Sequence, residues 1–168
     1  RTQQTHLVLL EGATGTGKTT LAQWFCQRVD EVGGGTWKMS THTEENGARD
    51  GIGPMLFKLL GAAGLDRAGA VEFVAKKLEQ MGIPSREDAI GLLEIANPHT
   101  DDEDSVGLSA VFTEKQEKFA LISRYLRARA SQRPFILWLD ELHHGPESQD
   151  LVAHLLAMEI QAPILILG

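Results

Sequence analysis

Gly12-Ala13-Thr14-Gly15-Thr16-Gly17-Lys18-Thr19, followed by Thr20, stands directly after the apolar run Leu7-Val8-Leu9-Leu10. Gly12, Gly17, Lys18 and Thr19 have the spacing of a phosphate-binding P-loop. Phosphates are held by a concave array of backbone N–H groups, and glycines let the chain curl close without a Cβ in the way. In that pattern the residues from Gly12 to Thr20 surround the phosphates of a nucleoside triphosphate. Lys18 reaches the β and γ phosphates, and the Thr19 hydroxyl meets Mg²⁺. The segment Thr19 to Val32 reads as a helix whose N-terminus lies under the anion. A Gly-rich turn with an incidental lysine is the plainer alternative. The strand-like TQQTHLVLLEG before the octapeptide and the helical KTTLAQWFCQRV after it favour the phosphate reading.

A second stretch answers the first. Pro134-Phe135-Ile136-Leu137-Trp138-Leu139 ends in Asp140-Glu141, the form of a Walker B strand. An unbroken apolar run of this kind suits a strand buried on both faces of a parallel sheet. Ligands of open α/β sheets bind outside the carboxyl ends of the strands, so Asp140 and Glu141 are expected beside the P-loop roughly 120 residues upstream. Asp140 is then the candidate Mg²⁺ ligand, direct or through water. Glu141 is the candidate for orienting and polarising the attacking water, with Lys18 as the other catalytic candidate.

Between the two motifs the elements alternate as a doubly wound sheet requires. Gly33-Gly34-Gly35 ends the first helix, and Thr36 to Thr41 reads as a second strand with alternating sides. His42 to Gly53, rich in Glu, Asn, Gly and Asp, reads as loop. From Pro54 a short amphipathic helix begins, with proline in its first turn. Further helices are expected over Ala68 to Met81, Ser85 to Asn97 and Phe112 to Gln132, the second with Ser85 as N-cap and acids in its first turn. The run NPHTDDEDSVGLS reads as a polar, acidic, mobile loop. About 90 residues separate the second strand from the Asp140 strand, where a crossover needs about a dozen. Residues 54–110 therefore read as a helical insertion or lid-like elaboration. A helix opened by Pro146 and Glu147-Ser148 and running to Met158, and a buried strand, Pro163 to Leu167, complete the pass.

Composition sets bounds. With 168 residues, 42% hydrophobic and 23% charged, the chain suits one globular domain. A net charge of −7 argues against nucleic-acid binding by this chain, which calls for a basic surface. One cysteine forms no internal disulfide, so a reducing, cytoplasmic setting is the default. No apolar run approaches the about 18 residues of a membrane span.

GATGTGKTTL, WKMS, GIGPMLFKLL, LWLDELHHGPESQDLVAHLL and PILILG together resemble the ATPase module of the STAND class. These are AAA-related signal-transduction ATPases found beside serine/threonine kinase, adenylate cyclase or LuxR-type transcription-activator domains. Asp140-Glu141-Leu142-His143 matches the family's Asp-Asp or Asp-Glu, Leu-His run before a small-residue turn. The resemblance spans nearly the whole chain, although only the two Walker motifs are highly specific. It implies a P-loop NTPase α/β fold, a three-layer α/β/α sandwich with a mostly parallel sheet of AAA-like order 5-1-4-3-2, and an ATP-driven switch that uses ATP and Mg²⁺. Effector domains of a parent chain and nucleotide-dependent self-association are the partners it implies. The family's fifth strand, polar sensor, helical lid and arginine finger would follow Gly168. On that ground the chain is expected to be a fragment, incomplete at its C-terminal end. It should then bind nucleotide weakly, turn over little and self-associate through the Leu7–Leu10 edge.

Other features carry plainer readings. His143 and His144 are adjacent, and neighbours in regular structure point apart, so a metal pair is disfavoured against loop histidines touching their surroundings. Cys26, one turn after Ala22, reads as a buried structural thiol. The DDEDS charges read as a solvated loop, since the glycine and terminal Glu spacing of a calcium loop is missing. An AAA-type loader acting on DNA and a non-hydrolysing nucleotide scaffold are the alternatives to a regulatory ATPase; the acidic balance counts against the first and Glu141 against the second. No Asn-Lys-x-Asp motif supports a GTPase, and the paired Asp140-Glu141 suits water activation better than a small-molecule kinase.

Overall fold

The computed structural model describes residues 4–45, 47, 50–98, 107–158 and 161–168. Most of the acidic NPHTDDEDSVGLS loop lies outside the described residues, and with it the expectation that it is mobile. The chain divides into two compact units, Arg1–Gly51 with Arg129–Gly168, and Ile52–Ala128.

The first unit is built on four parallel strands: β1 (His6–Val8), β2 (Thr36–Thr41), β3 (Phe135–Asp140) and β4 (Ile164–Leu167), in the order β1-β4-β3-β2. That is the expected 1-4-3-2 segment of the family order. β3 is central, and every residue from Phe135 to Leu139 is buried, because a strand with neighbours on both sides in a parallel sheet has no solvent face. Ile136 and Trp138 on one face pack with Leu167 against Ala22 and Cys26 of α1 (Lys18–Glu31). Trp37 tilts against Trp138 at a centroid distance of 6.1 Å. Leu137 and Leu139, one residue out of phase, are buried on the opposite face. Burial pushes the Cys26 thiol up to about 11, as the structural reading expects.

Two strands in this unit differ from expectation. β1 covers His6–Val8 and stops short of Leu10, whose N–H still reaches the Gly168 carbonyl at 2.7 Å. Its residues are exposed or half-buried, in keeping with an edge. β2 lacks clean alternation: Thr36 to Met39 are all half-buried and only Ser40 is fully buried. At the end of α1 the Gly34 and Gly33 N–H groups return to the carbonyls of Val29 and Asp30, a Schellman closure that turns the chain into β2. After β3 come a 3₁₀ turn (Leu142–His144) and α6 (Pro146–Ala157).

The second unit holds α2 (Ile52–Leu60), α3 (Arg67–Gln80), α4 (Arg86–Ala96) and most of α5 (Lys115–Gln132). α4 packs on both α2 and α3, burying Leu56, Val74, Leu78, Leu92 and Leu93. Asp66 and Ser85 cap α3 and α4 by accepting the N–H groups of Gly69 and Asp88. Arg67 ties α3 to α4, donating to Glu94 at 2.7 Å and to the Leu108 carbonyl at 3.0 Å. Lys77 Nζ donates to the Leu59 and Leu60 carbonyls, satisfying the end of α2. α5 begins at Lys115, three residues later than Phe112, because the Glu117 carboxylate accepts the Thr113 N–H and closes the helix start there.

Candidate functional site

At the carboxyl end of the sheet the two sequence motifs meet. The Thr19 hydroxyl, on the first turn of α1, donates to Asp140 Oδ1 at the end of β3 over 3.2 Å. Their separation in sequence is 121 positions, and the parallel β3 brings them together by ending beside the loop that starts α1. A hydroxyl and a carboxylate oxygen this close form a hard oxygen donor set of the kind Mg²⁺ takes.

The loop itself turns through two left-handed glycines, Gly15 at φ 83° and Gly17 at φ 88°. A Cβ at either would be strained, so the glycines there answer a backbone demand. Gly17 is also the N-cap of α1, with no side chain occupying the helix end. Lys18 Nζ arches back over the loop and donates to the carbonyls of Gly12 at 2.9 Å and Ala13 at 3.2 Å. Thr16 closes the turn, its hydroxyl donating to the Ala13 carbonyl at 2.8 Å.

A cavity of about 990 Å³ opens beside these groups. Gly12, Ala13, Thr14, Lys18, Asp140 and Glu141 contribute to its wall, and Leu7, Leu9, Leu156 and Leu167 give it an apolar side. Gly15, Thr16, Gly17, Thr19 and Thr20 are not part of that wall; Thr19 joins the site through Asp140.

Glu141 is the sole residue other than glycine with positive φ among the described residues, at φ 53° and ψ 43°. This left-handed kink ends β3 and starts the 3₁₀ turn, whose frame is fixed by four hydrogen bonds. His144 N–H meets the Glu141 carbonyl and Gly145 N–H meets Leu142, each at 3.0 Å. Gln149 Nε2 donates to the carbonyls of Leu142 and His143. In this turn the two imidazoles do not point apart. Their centroids lie 3.9 Å apart, and His143 Nε2 is 3.5 Å from Glu141 Oε2. The expectation of divergent neighbours assumed extended or α-helical backbone; the tight turn after a left-handed residue removes it.

His42 escaped the sequence reading, which placed it in a polar loop. It is 2% exposed, and its ring spans two elements. Nδ1 lies 2.8 Å from the Asp140 carbonyl and Nε2 2.8 Å from Ser148 Oγ. A carbonyl only accepts, so Nδ1 carries a proton and donates it to Asp140. Gly145 leaves room for this ring: a Cβ there would sit 2.8 Å from His42 Nε2 and closer still to Cδ2. No sequence signal marks His42 beyond its position just after β2.

No helix among the described residues is long and apolar enough to cross a membrane. The family model of the AAA ATPase domain matches residues 1–167. No curated protein and no solved structure matches the chain. With the match covering nearly all of its length, the chain belongs to the AAA ATPase domain family, a family of nucleotide-binding and nucleotide-hydrolysing modules.

Proposed function

We propose that the chain binds ATP at the Gly12–Thr20 loop and hydrolyses it as the switch of a signal-transducing protein. The observation that carries this is the 3.2 Å contact between Thr19 and Asp140, which unites the two Walker motifs at one point. In this reading the N–H groups from Ala13 to Thr20 cradle the phosphates, and the glycines keep that backbone accessible. The Lys18 ammonium exchanges its loop carbonyls for the β and γ phosphate oxygens. Thr19 and Asp140 hold Mg²⁺, which neutralises charge on the phosphates. Glu141, on the cavity wall one residue after Asp140, accepts a proton from the attacking water and orients it toward the γ phosphorus. His42 holds the Asp140 backbone while α6 starts from the same clamp, giving nucleotide state a path to the rest of the unit.

The acidic balance and the STAND-like order support a regulatory role, with the effector supplied by other domains of a parent chain. The direct test titrates fluorescent ATP in magnesium against wild type and Lys18→Ala. Loss of binding in the variant is expected, because one ammonium neutralises phosphate charge where the loop amides converge. Equal affinity would sink the assignment.

A further inference from the structure

Glu141, His143 and His144 each offer one ligand atom, and the three atoms lie within 4.8 Å of one another. We propose that these residues form a binding site for a borderline transition-metal ion, with Zn²⁺ as its type, and that occupancy takes Glu141 away from hydrolysis.

Three observations carry the site. The 3.5 Å between His143 Nε2 and Glu141 Oε2 is close to the separation of two donors on one tetrahedral ion, about 3.3 to 3.5 Å for bonds of about 2.0 to 2.1 Å. The frame is set in advance: the left-handed Glu141 turns its carboxylate toward His143, and hydrogen bonds from His144, Gly145 and Gln149 hold the turn. The donors are also open to an incoming ion, since the side chains of His143 and Glu141 are 67% and 43% exposed. The His144 ring nitrogen lies within 4.8 Å of the other two donors, and the fourth position is left to water.

The donor set also decides the ion. Two imidazoles and one carboxylate suit Zn²⁺, Cu²⁺ or Ni²⁺, whereas Mg²⁺ prefers oxygen and keeps its waters. The site is therefore distinct in chemistry from the Thr19–Asp140 oxygen pair, although both line one end of the sheet. A carboxylate bound to Zn²⁺ is a weaker base and is turned from the water it would orient, so the ion inhibits hydrolysis without displacing ATP. That regulatory half rests on the role proposed for Glu141; the binding half does not.

The experiment titrates Zn²⁺ alone against the 168-residue chain in competition with a chromogenic chelator. Wild type, His143→Ala, His144→Ala and Glu141→Gln are compared, with His6→Ala, on the distant edge strand, as control. One equivalent bound by wild type and by His6→Ala is expected, weakened at least about tenfold by each substitution in the site. No uptake by wild type, or unchanged affinity in a His143→Ala/His144→Ala double variant, overturns the site. A second arm measures single-turnover ATP hydrolysis and fluorescent-ATP binding with Zn²⁺ added. Suppressed hydrolysis with retained binding in wild type, relieved in the double variant, is expected. Zinc uptake with an unaltered rate overturns the regulatory half alone. Unchanged ATP affinity in Lys18→Ala, with zinc uptake intact, overturns the ATP reading and leaves the metal site standing.

Discussion

Glu141 combines a backbone cost with a proposed chemical duty, and substitution separates the two. A left-handed conformation costs a residue with a Cβ about 1 to 2 kcal/mol relative to glycine, so Glu141→Gly should melt no lower than wild type. Glu141→Gln should keep ATP affinity, and in both variants single-turnover hydrolysis should fall at least about a hundredfold. A wild-type rate in either would move the water-orienting role to another residue. His42→Ala has the opposite signature. Removing the ring strands a buried Ser148 hydroxyl and leaves the Asp140 carbonyl only the backbone N–H of residue 42, which should cost about 1 to 3 kcal/mol in denaturant unfolding. The meeting of Thr19 with Asp140 was legible in the sequence because the two motifs fix residue type and spacing together. His42 was not, because its role depends on a hydrogen bond to a backbone 98 positions away and on a serine beyond that. The proximity of His143 to His144 was likewise invisible, since the two rings come together in the 3₁₀ turn Leu142–His144, which no local pattern announced.

Among the elements, β3 is the strand on which the first unit depends. Leu137 is fully buried between β2 and β4, and Leu137→Ala should cost about 2 to 5 kcal/mol by the cavity it leaves. Ser85→Ala, at the start of α4, removes only a cap and should cost about 1 kcal/mol. Chemical denaturation of the two variants checks the ranking, and a smaller loss for Leu137→Ala would contradict it. Helix limits were legible to within about three residues, because prolines, caps and glycines act locally. β2 read less well: its alternation predicts a clean buried face, whereas four of its residues share partial burial at the sheet edge. α5 was misjudged at its start because Glu117 reaches back to Thr113, a side-chain contact that apolar periodicity does not reveal.

For the whole molecule, strand order followed from the resemblance: β1, β4, β3 and β2 lie as an AAA-like sheet orders them. Local pattern alone could not supply that order, since it says nothing of which parallel strands pair. The division at Gly51 and Arg129 was beyond it too, for it is defined by contacts distant in sequence. Ligand linkage gives a test at this scale. ATP with magnesium at about 100 times its Kd should stabilise the fold by about 2.7 kcal/mol, seen as a raised Tm. Lys18→Ala should show no rise under the same conditions, and an equal rise would place the nucleotide elsewhere.

The tight fit of Gly145 over His42 has a consequence for inheritance. The φ of Gly145, −112°, is open to any residue, so only the ring beneath it forbids a side chain. Selection should therefore treat positions 42 and 145 as one character. In a library randomised at both, glycine at 145 should persist wherever histidine is kept at 42, and larger residues should enter only alongside a smaller one there. Sequencing the survivors of a folding screen would reveal the pairing, and independent drift at the two positions would refute it.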